Sequence, residues 1–193
     1  MKLLKLSLAG LAALQLSACS QTKTVDWEEE VVLNTGEVIW VNRADTFRRG
    51  TEPGNPLKST WWPDGRFYEF SWQGQKYTYR ARSKVGGPIL MFVDPADKSI
   101  LLIDSTFNLD CAKPGYGEFR WNHGSWQLQQ NVSLAVVGQP RNLMSYYSAA
   151  EGAIPARVTQ EFIRSSRFDS PQNGGAESNL SASKIALDCS RSK

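Results

Sequence analysis

Period-two alternation of apolar and polar residues, cut at short intervals by tight-turn sequences, runs through most of this chain and leaves few architectures open. A segment that alternates in this way buries one face only when it lies in a sheet. Residues 27–33 and 37–43 flank Asn34-Thr35-Gly36 and read as a hairpin. Trp27, Glu29, Val31 and Leu33 share one face of its first strand, while Ile39 and Val41 oppose Val38 and Trp40 in the second. Residues 66–72 and 75–81 form another hairpin across Gln73-Gly74, with Tyr68, Phe70 and Trp72 on one face and Tyr77, Tyr79 and Ala81 together on the partner. Residues 89–93 and 100–103 are apolar on both faces around Asp94-Pro95-Ala96-Asp97. That pattern predicts central, fully buried strands joined by a type I turn. Residues 118–121 and 126–129 predict a further hairpin around Asn122-His123-Gly124.

Between these hairpins the alternation fails. Residues 43–60 are polar, carry Gly50, Pro53, Gly54 and Pro56, and show no period, so they read as a long loop of the kind that often carries function. Trp61-Trp62-Pro63-Asp64-Gly65-Arg66 follows as a turn at Pro-Asp-Gly. Toward the C-terminus the period changes. Residues 142–151 predict a short helix stopped by Gly152, and Pro155 opens a second, to residue 167, with Ile154, Val158 and Phe162 at four-residue spacing. Residues 169–183 read as a loop rich in Ser, Gly and Asn, and residues 184–188 as a last strand. The expected fold is α+β but mainly β: an antiparallel sheet built from successive hairpins, as a sandwich or half-barrel, with one or two short C-terminal helices.

The first twenty residues stand apart. Lys2 and Lys5 form a basic start, residues 6–14 are apolar but for Ser7 and Gly10, and Leu16-Ser17-Ala18-Cys19 closes the run. This segment resembles the N-terminus of bacterial lipoprotein precursors, whose signal peptide is removed before the cysteine of such a box. It is shorter than the roughly 20 apolar residues that a spanning helix needs. The resemblance implies a signal peptide over residues 1–18, a Cys19 bearing diacylglycerol and an amide-linked chain such as palmitate, a tether over 19–25 and a single β-rich domain over 26–193. Each buried methylene of the acyl chains contributes about 0.8 kcal/mol, which makes a multiply acylated anchor stable. Ser20, where an Asp would retain the protein at the inner membrane, implies the outer membrane, facing the periplasm. In that oxidising compartment Cys111 and Cys189 are expected to pair, worth about 4 kcal/mol in the chain-entropy account. Two buried thiols or an intermolecular bond are the alternatives. In the body, Glu30-Val31-Val32-Leu33-Asn34-Thr35-Gly36-Glu37-Val38-Ile39-Trp40-Val41 and Tyr77-Thr78-Tyr79 look like segments of proteobacterial and phage-associated proteins with no assigned activity, so that resemblance implies no catalytic residue.

Of the formal net charge of +3, two positive charges belong to Lys2 and Lys5. The remainder is nearly neutral and carries no electrostatic footprint for nucleic acid. His123 is the only histidine and sits at a predicted hairpin tip, where it reads as a turn residue. One histidine and two cysteines expected to pair supply neither a catalytic triad nor a zinc site, and no metal or other cofactor is expected. Glu28, Glu29 and Glu30 alternate along a strand and read as a solvated or edge-protecting run. The expected binding surface is the tryptophan turn and the loop before it: Trp61, Trp62, Asp64 and Arg66 with Phe47, Arg48 and Arg49. The expected function is that of an outer-membrane-anchored periplasmic lipoprotein, not an enzyme, that binds an envelope protein or peptidoglycan or serves a structural role. The alternatives are an envelope glycan hydrolase using carboxylates and a surface-displayed, phage-associated exclusion lipoprotein.

Overall fold

The computed structural model describes residues 21–52, 54–81, 87–108, 113–144, 154–165 and 180. The expected signal segment, Cys19, both cysteines of the expected disulfide, most of the first expected helix and the expected last strand lie outside the described residues. The fold is mainly β, and the described residues form two sheets. The first contains β1 (Thr22–Val32), β2 (Val38–Glu52), β3 (Asn55–Trp72), β4 (Gln75–Arg80) and β9 (Arg157–Val158), in the order β4-β3-β2-β1-β9. The second contains β5 (Gly87–Val93), β6 (Ile100–Asn108), β7 (Lys113–Asn122) and β8 (Ser125–Leu128), in that order. Neighbours pair antiparallel except β9, which runs parallel to β1. Among the described residues one α-helix, α1 (Gln160–Ser165), follows β9.

The expected hairpins form because their turn residues adopt the backbone a tight connection needs. Gln73 and Gly74 both have positive φ, as do His123 and Gly124. That pairing of left-handed residues matches the twist of the flanking strands. Val31, Leu33, Ile39, Val41, Phe70 and Trp72 then meet Met91, Val93, Ile100, Leu102 and Phe119 across the two inner faces. The other face of the second sheet buries Leu90, Phe92, Leu101 and Ile103 under Val136 and Leu180, which explains why β5 and β6 are apolar on both sides.

β5 is nevertheless not a central strand, as its apolarity predicts; it ends the order of its sheet. Side-chain amides take the place of a neighbouring strand. Met91 donates its N–H to Asn142 Oδ1 at 2.8 Å, and Asn142 Nδ2 donates back to the Met91 carbonyl at 2.8 Å. Asn34 treats Val93 in the same way, accepting at 2.7 Å and donating at 2.9 Å. Asn142 Nδ2 also donates to the Val32 carbonyl at 2.9 Å, which ties the end of β1 to β5. At the opposite side of the sandwich, Trp126 Nε1 donates to the Thr78 carbonyl at 2.8 Å and ties β8 to β4.

Several sequence expectations are corrected. Residues 43–60 are not a loop: β2 continues to Glu52 and β3 begins at Asn55, so the two strands project as a paired arm. Pro63-Asp64-Gly65 does not turn the chain. The register passes from Thr46↔Gly65 to Phe47↔Pro63, leaving Asp64 as the extra residue of a bulge, a place where a strand accommodates proline. Pairing already begins at Thr22, inside the segment read as a tether. The second helix starts at Gln160 and not at Pro155, because residues 157–158 pair with β1 and Thr159 Oγ1 accepts the Phe162 N–H at 3.2 Å as the helix cap.

The β5–β6 turn is pinned by Arg120, which reaches Asp94 at 2.5 Å, Asp97 at 3.3 Å and Glu118 at 2.6 Å. The Ala96 N–H and Arg120 hold the Asp94 carboxyl below its ordinary value, and Ser99 with Arg120 does the same for Asp97. A carboxylate with a lowered value in the fold adds stability above the ordinary range, which is lost as pH falls through the folded value. Unfolding free energy is therefore expected to drop between about pH 4 and pH 2, and Asp94→Asn to flatten that drop in urea titrations at each pH. Asn142→Leu strands the Met91 N–H and carbonyl away from water and is expected to cost about 2–3 kcal/mol. Asn34→Leu, at the wetter end of β5, is expected to cost about 1 kcal/mol by the same measurement.

Candidate functional site

The seven residues expected to form a binding surface are brought together, but the sheet distributes them over two faces. Phe47 pairs with Pro63, Arg48 with Trp62 and Arg49 with Trp61. Adjacent residues of a strand point oppositely, and the two tryptophans separate accordingly. Trp61 is half-buried and packs on a small core of Trp27, Phe47, Met144, Val158 and Ile163, with Lys23 Nζ 5.3 Å from its ring centre. Trp62 is 42% exposed and lies across Gly50, where a Cβ would sit 3.0 Å from its Cδ1. Arg48 and Asp64 are also on the outside, 3.9 Å apart. Arg49 is exposed and donates to Gln21 Oε1 at 2.8 Å and Ser59 Oγ at 3.0 Å. Phe47 and Arg66 are buried, which removes both from any surface.

Arg66 belongs instead to an ionic layer that crosses the inner face of the first sheet between two apolar clusters. The layer holds Glu29, Arg43, Asp45 and Arg66, all excluded from solvent. Arg43 Nη1 lies 3.0 Å from Glu29 Oε2 and donates to the Met144 carbonyl at 2.5 Å. Its Nε and Nη2 grip the two oxygens of Asp45 at 3.2 and 3.3 Å. Arg66 Nε is 3.5 Å from Asp45 Oδ2. Glu29 also accepts from the Met144 N–H and, at 3.3 Å, from Trp27 Nε1. The Arg43 guanidinium sits between two rings supplied by its cross-strand neighbours, 4.7 Å from Trp27 and 4.9 Å from Tyr68. Gly87 lets β5 close onto the layer: a Cβ there would meet Tyr68 Oη at 2.9 Å and Arg66 Nη1 at 3.0 Å. Beside it, Tyr79 Oη donates to the buried Asp104 at 2.5 Å, from one sheet to the other.

This layer was not expected from Glu28-Glu29-Glu30 read as a solvated run; Glu28 and Glu30 do point outward, but Glu29 is in the core. Burial pushes the Glu29 carboxyl up, against the opposing pull of Arg43 and the Met144 N–H. Burial alone would lower the Arg43 value, but Asp45, Tyr68 and Glu29 outweigh it and hold the guanidinium charged. Burial likewise pushes the Tyr68 hydroxyl up and keeps it protonated. Two carboxylates and two guanidinium groups balance one another in a space closed to solvent. The arrangement can fix the positions of strands and of the Met144 segment, and it offers no open coordination or attack position.

The accessible chemistry lies on the outer face of the first sheet. Val32, Val38 and Trp40 are exposed there side by side, with Val32 paired to Val38 and Glu30 to Trp40. Arg157 stacks on Trp40 at 5.0 Å and pairs with Glu28 at 2.6 Å. A groove of about 590 Å³ runs beside it, lined by Asp26, Glu28, Asn42, Phe67, Glu69 and Arg157. Among the described residues no three His, Cys, Asp or Glu side chains gather as metal ligands, and no helix is long and apolar enough to cross a membrane. No known protein family matches this chain, and neither does any curated protein or solved structure.

Arg43→Met leaves Glu29 and Asp45 buried without their shared cation and is expected to cost at least about 3 kcal/mol of unfolding free energy. Trp62→Ala, on the outer face, is expected to stay within about 0.5 kcal/mol of the parent protein. A loss below about 1 kcal/mol for Arg43→Met in the same denaturation series would contradict a structural role for the layer.

Proposed function

We propose that this protein is a lipid-anchored module of the bacterial cell envelope that acts by binding, and that its partner is another envelope protein with a basic rim. The observation that carries the reading is the patch on β1 and β2. Outward positions of a half-buried sheet are expected to be polar, yet Val32, Val38 at 49% exposure and Trp40 at 39% lie next to one another. Contiguous exposed apolar area rimmed by charge marks an interaction surface. Trp and Arg are the residue types that dominate binding energy at such surfaces, and Trp40 with Arg157 stacked on it supplies both. Glu28, Glu30, Glu37 and Glu69 lie beside the patch; Arg157 pairs with Glu28 and Lys76 with Glu69, and the charges of Glu30 and Glu37 that remain favour a partner of opposite sign. The Leu16-Ser17-Ala18-Cys19 box supports the anchor and, with Ser20, the outer-membrane, periplasm-facing address. The best-organised ionisable groups are sealed inside the sandwich, which favours binding over carboxylate hydrolysis.

A photo-crosslinking amino acid placed at Val38 of the full chain in living cells tests this. A discrete adduct is expected, and its yield should fall by at least about tenfold when Trp40→Ala is combined with Glu37→Lys. A crosslink insensitive to both changes, or no crosslink from protein that sediments with purified sacculi through Trp40, would replace the protein partner with a nonspecific contact or with peptidoglycan.

A further inference from the structure

We infer that the arm formed by β2 and β3 is a finger that rests its tip in the headgroup layer of the membrane holding Cys19; this builds on the lipid-anchor reading proposed above. The geometry rests on strand direction. β1 and β2 are antiparallel, so moving toward the N-terminus along β1 moves outward along β2. Thr22 pairs with Arg48, and the Arg49 N–H donates to the Gln21 carbonyl at 2.8 Å. Beyond that level, among the described residues, β2 has only β3 beside it, from Arg49↔Trp61 to Glu52↔Asn55. Cys19 is two residues from Gln21, a reach of at most about 7 Å. Glu52 is three residues beyond Arg49, about 10 Å further in the same direction. The tip therefore extends at least as far as the residue that carries the acyl chains. The polar layer on each side of a bilayer is about 5–7 Å deep, so a tip that overtakes Cys19 meets phospholipid.

The residues on the arm suit that surface. Leu57, at the tip, is 97% exposed, more than any other large apolar side chain described, and nothing in the described fold covers it. Arg48, Arg49 and Lys58 set three cations against the single carboxylate of Glu52 between Phe47 and Trp62. Lys58 pairs with Glu52 at 2.9 Å and Arg48 with Asp64 at 3.9 Å, while Arg49 is held by the neutral Gln21 and Ser59, so the arm keeps one positive charge in excess. Basic residues flanking an exposed apolar side chain are the pattern by which peripheral segments seat on anionic phospholipid. Trp62, further up the outer face, adds an amphipathic ring of the type favoured at such interfaces. The finger would fix the tilt of the sandwich on the membrane, where an acylated N-terminus alone leaves it free to swing.

The test uses full-length protein lipidated in cells, purified and reconstituted into phosphatidylethanolamine–phosphatidylglycerol vesicles with brominated acyl chains. A polarity-sensitive fluorescent amino acid is placed at Leu57 or, in a second protein, at Gln73, which is exposed at the opposite end of β3. Bromolipid should reduce emission at position 57 by at least about twofold and leave position 73 unchanged. Protein that floats with the vesicles and carries acyl mass on Cys19, yet shows no quenching at position 57, would overturn the finger while the anchor stands. Protein that neither floats nor carries acyl mass on Cys19 would overturn the anchor, and the finger with it.

Discussion

One guanidinium group organises the first sheet. Arg43 binds Glu29 on β1, Asp45 on its own strand and the Met144 carbonyl, and it lies between the rings of Trp27 and Tyr68. Removing charges from water is costly, and the cost is offset only when every donor and acceptor finds a partner in good geometry. The consequence is positional. A one-residue slip of β1 against β2 would place Glu29 on the solvent face and leave Arg43 and Asp45 mismatched in the interior. The ionic layer thereby specifies register between the two apolar clusters of the first sheet, and it holds the Met144 backbone through Arg43 and Glu29.

That interior allocation decides what the molecule presents outside. Above the ionic layer, Trp27, Phe47 and Trp61 are covered by Met144, Val158 and Ile163, so the inner face of the sheet is closed near the base of the arm. Below it, the two sheets close on each other, with amides from Asn34 and Asn142 finishing one side and Trp126 the other. Among the described residues, large apolar side chains stay open on the outer face around Trp40 and at the projecting tip at Leu57, and also at Leu128 and Leu134. Glu30 and Glu37 lie beside the first and Arg49 at the base of the second, a difference in charge that supports the two different neighbours proposed above, a protein and a phospholipid surface.

Much of this was legible in the sequence where turn chemistry and alternation agree. Asn34-Thr35-Gly36, Gln73-Gly74 and His123-Gly124 all close hairpins, and the opposed orientations of Trp61 and Trp62 follow from strand geometry alone. The arm was missed because its glycines and prolines mask a strand that a bulge at Asp64 keeps in register. The ionic layer was missed because charge reads as exposure. Its signal is phase: Arg43, Asp45 and Phe47 continue the inward series of Ile39 and Val41, Arg66 continues that of Tyr68 and Phe70, and Glu29 falls between Trp27 and Val31. Buried charges of opposite sign on neighbouring strands, each in phase with apolar residues, are readable once that series is extended past its last hydrophobic member. The edge position of β5 had no comparable signal, since two asparagines far apart in the chain supply its missing neighbour. The parallel two-residue β9 was likewise hidden behind a helical spacing that its neighbour Thr159 ends.

The claim that a closed ionic layer holds the first sheet is tested most directly by the guanidinium protons of Arg43. In a selectively labelled sample they should give separate nuclear magnetic resonance signals, because fixed partners on Glu29, Asp45 and Met144 stop rotation about the guanidinium bonds. Those signals should exchange with water as slowly as the amides of neighbouring strand residues, and they should persist as pH is raised to about 9, since the group stays protonated in the fold. A single averaged signal that exchanges rapidly with water would contradict the account, because it would mean that Arg43 is solvated and that the register of β1 and β2 is held by something else.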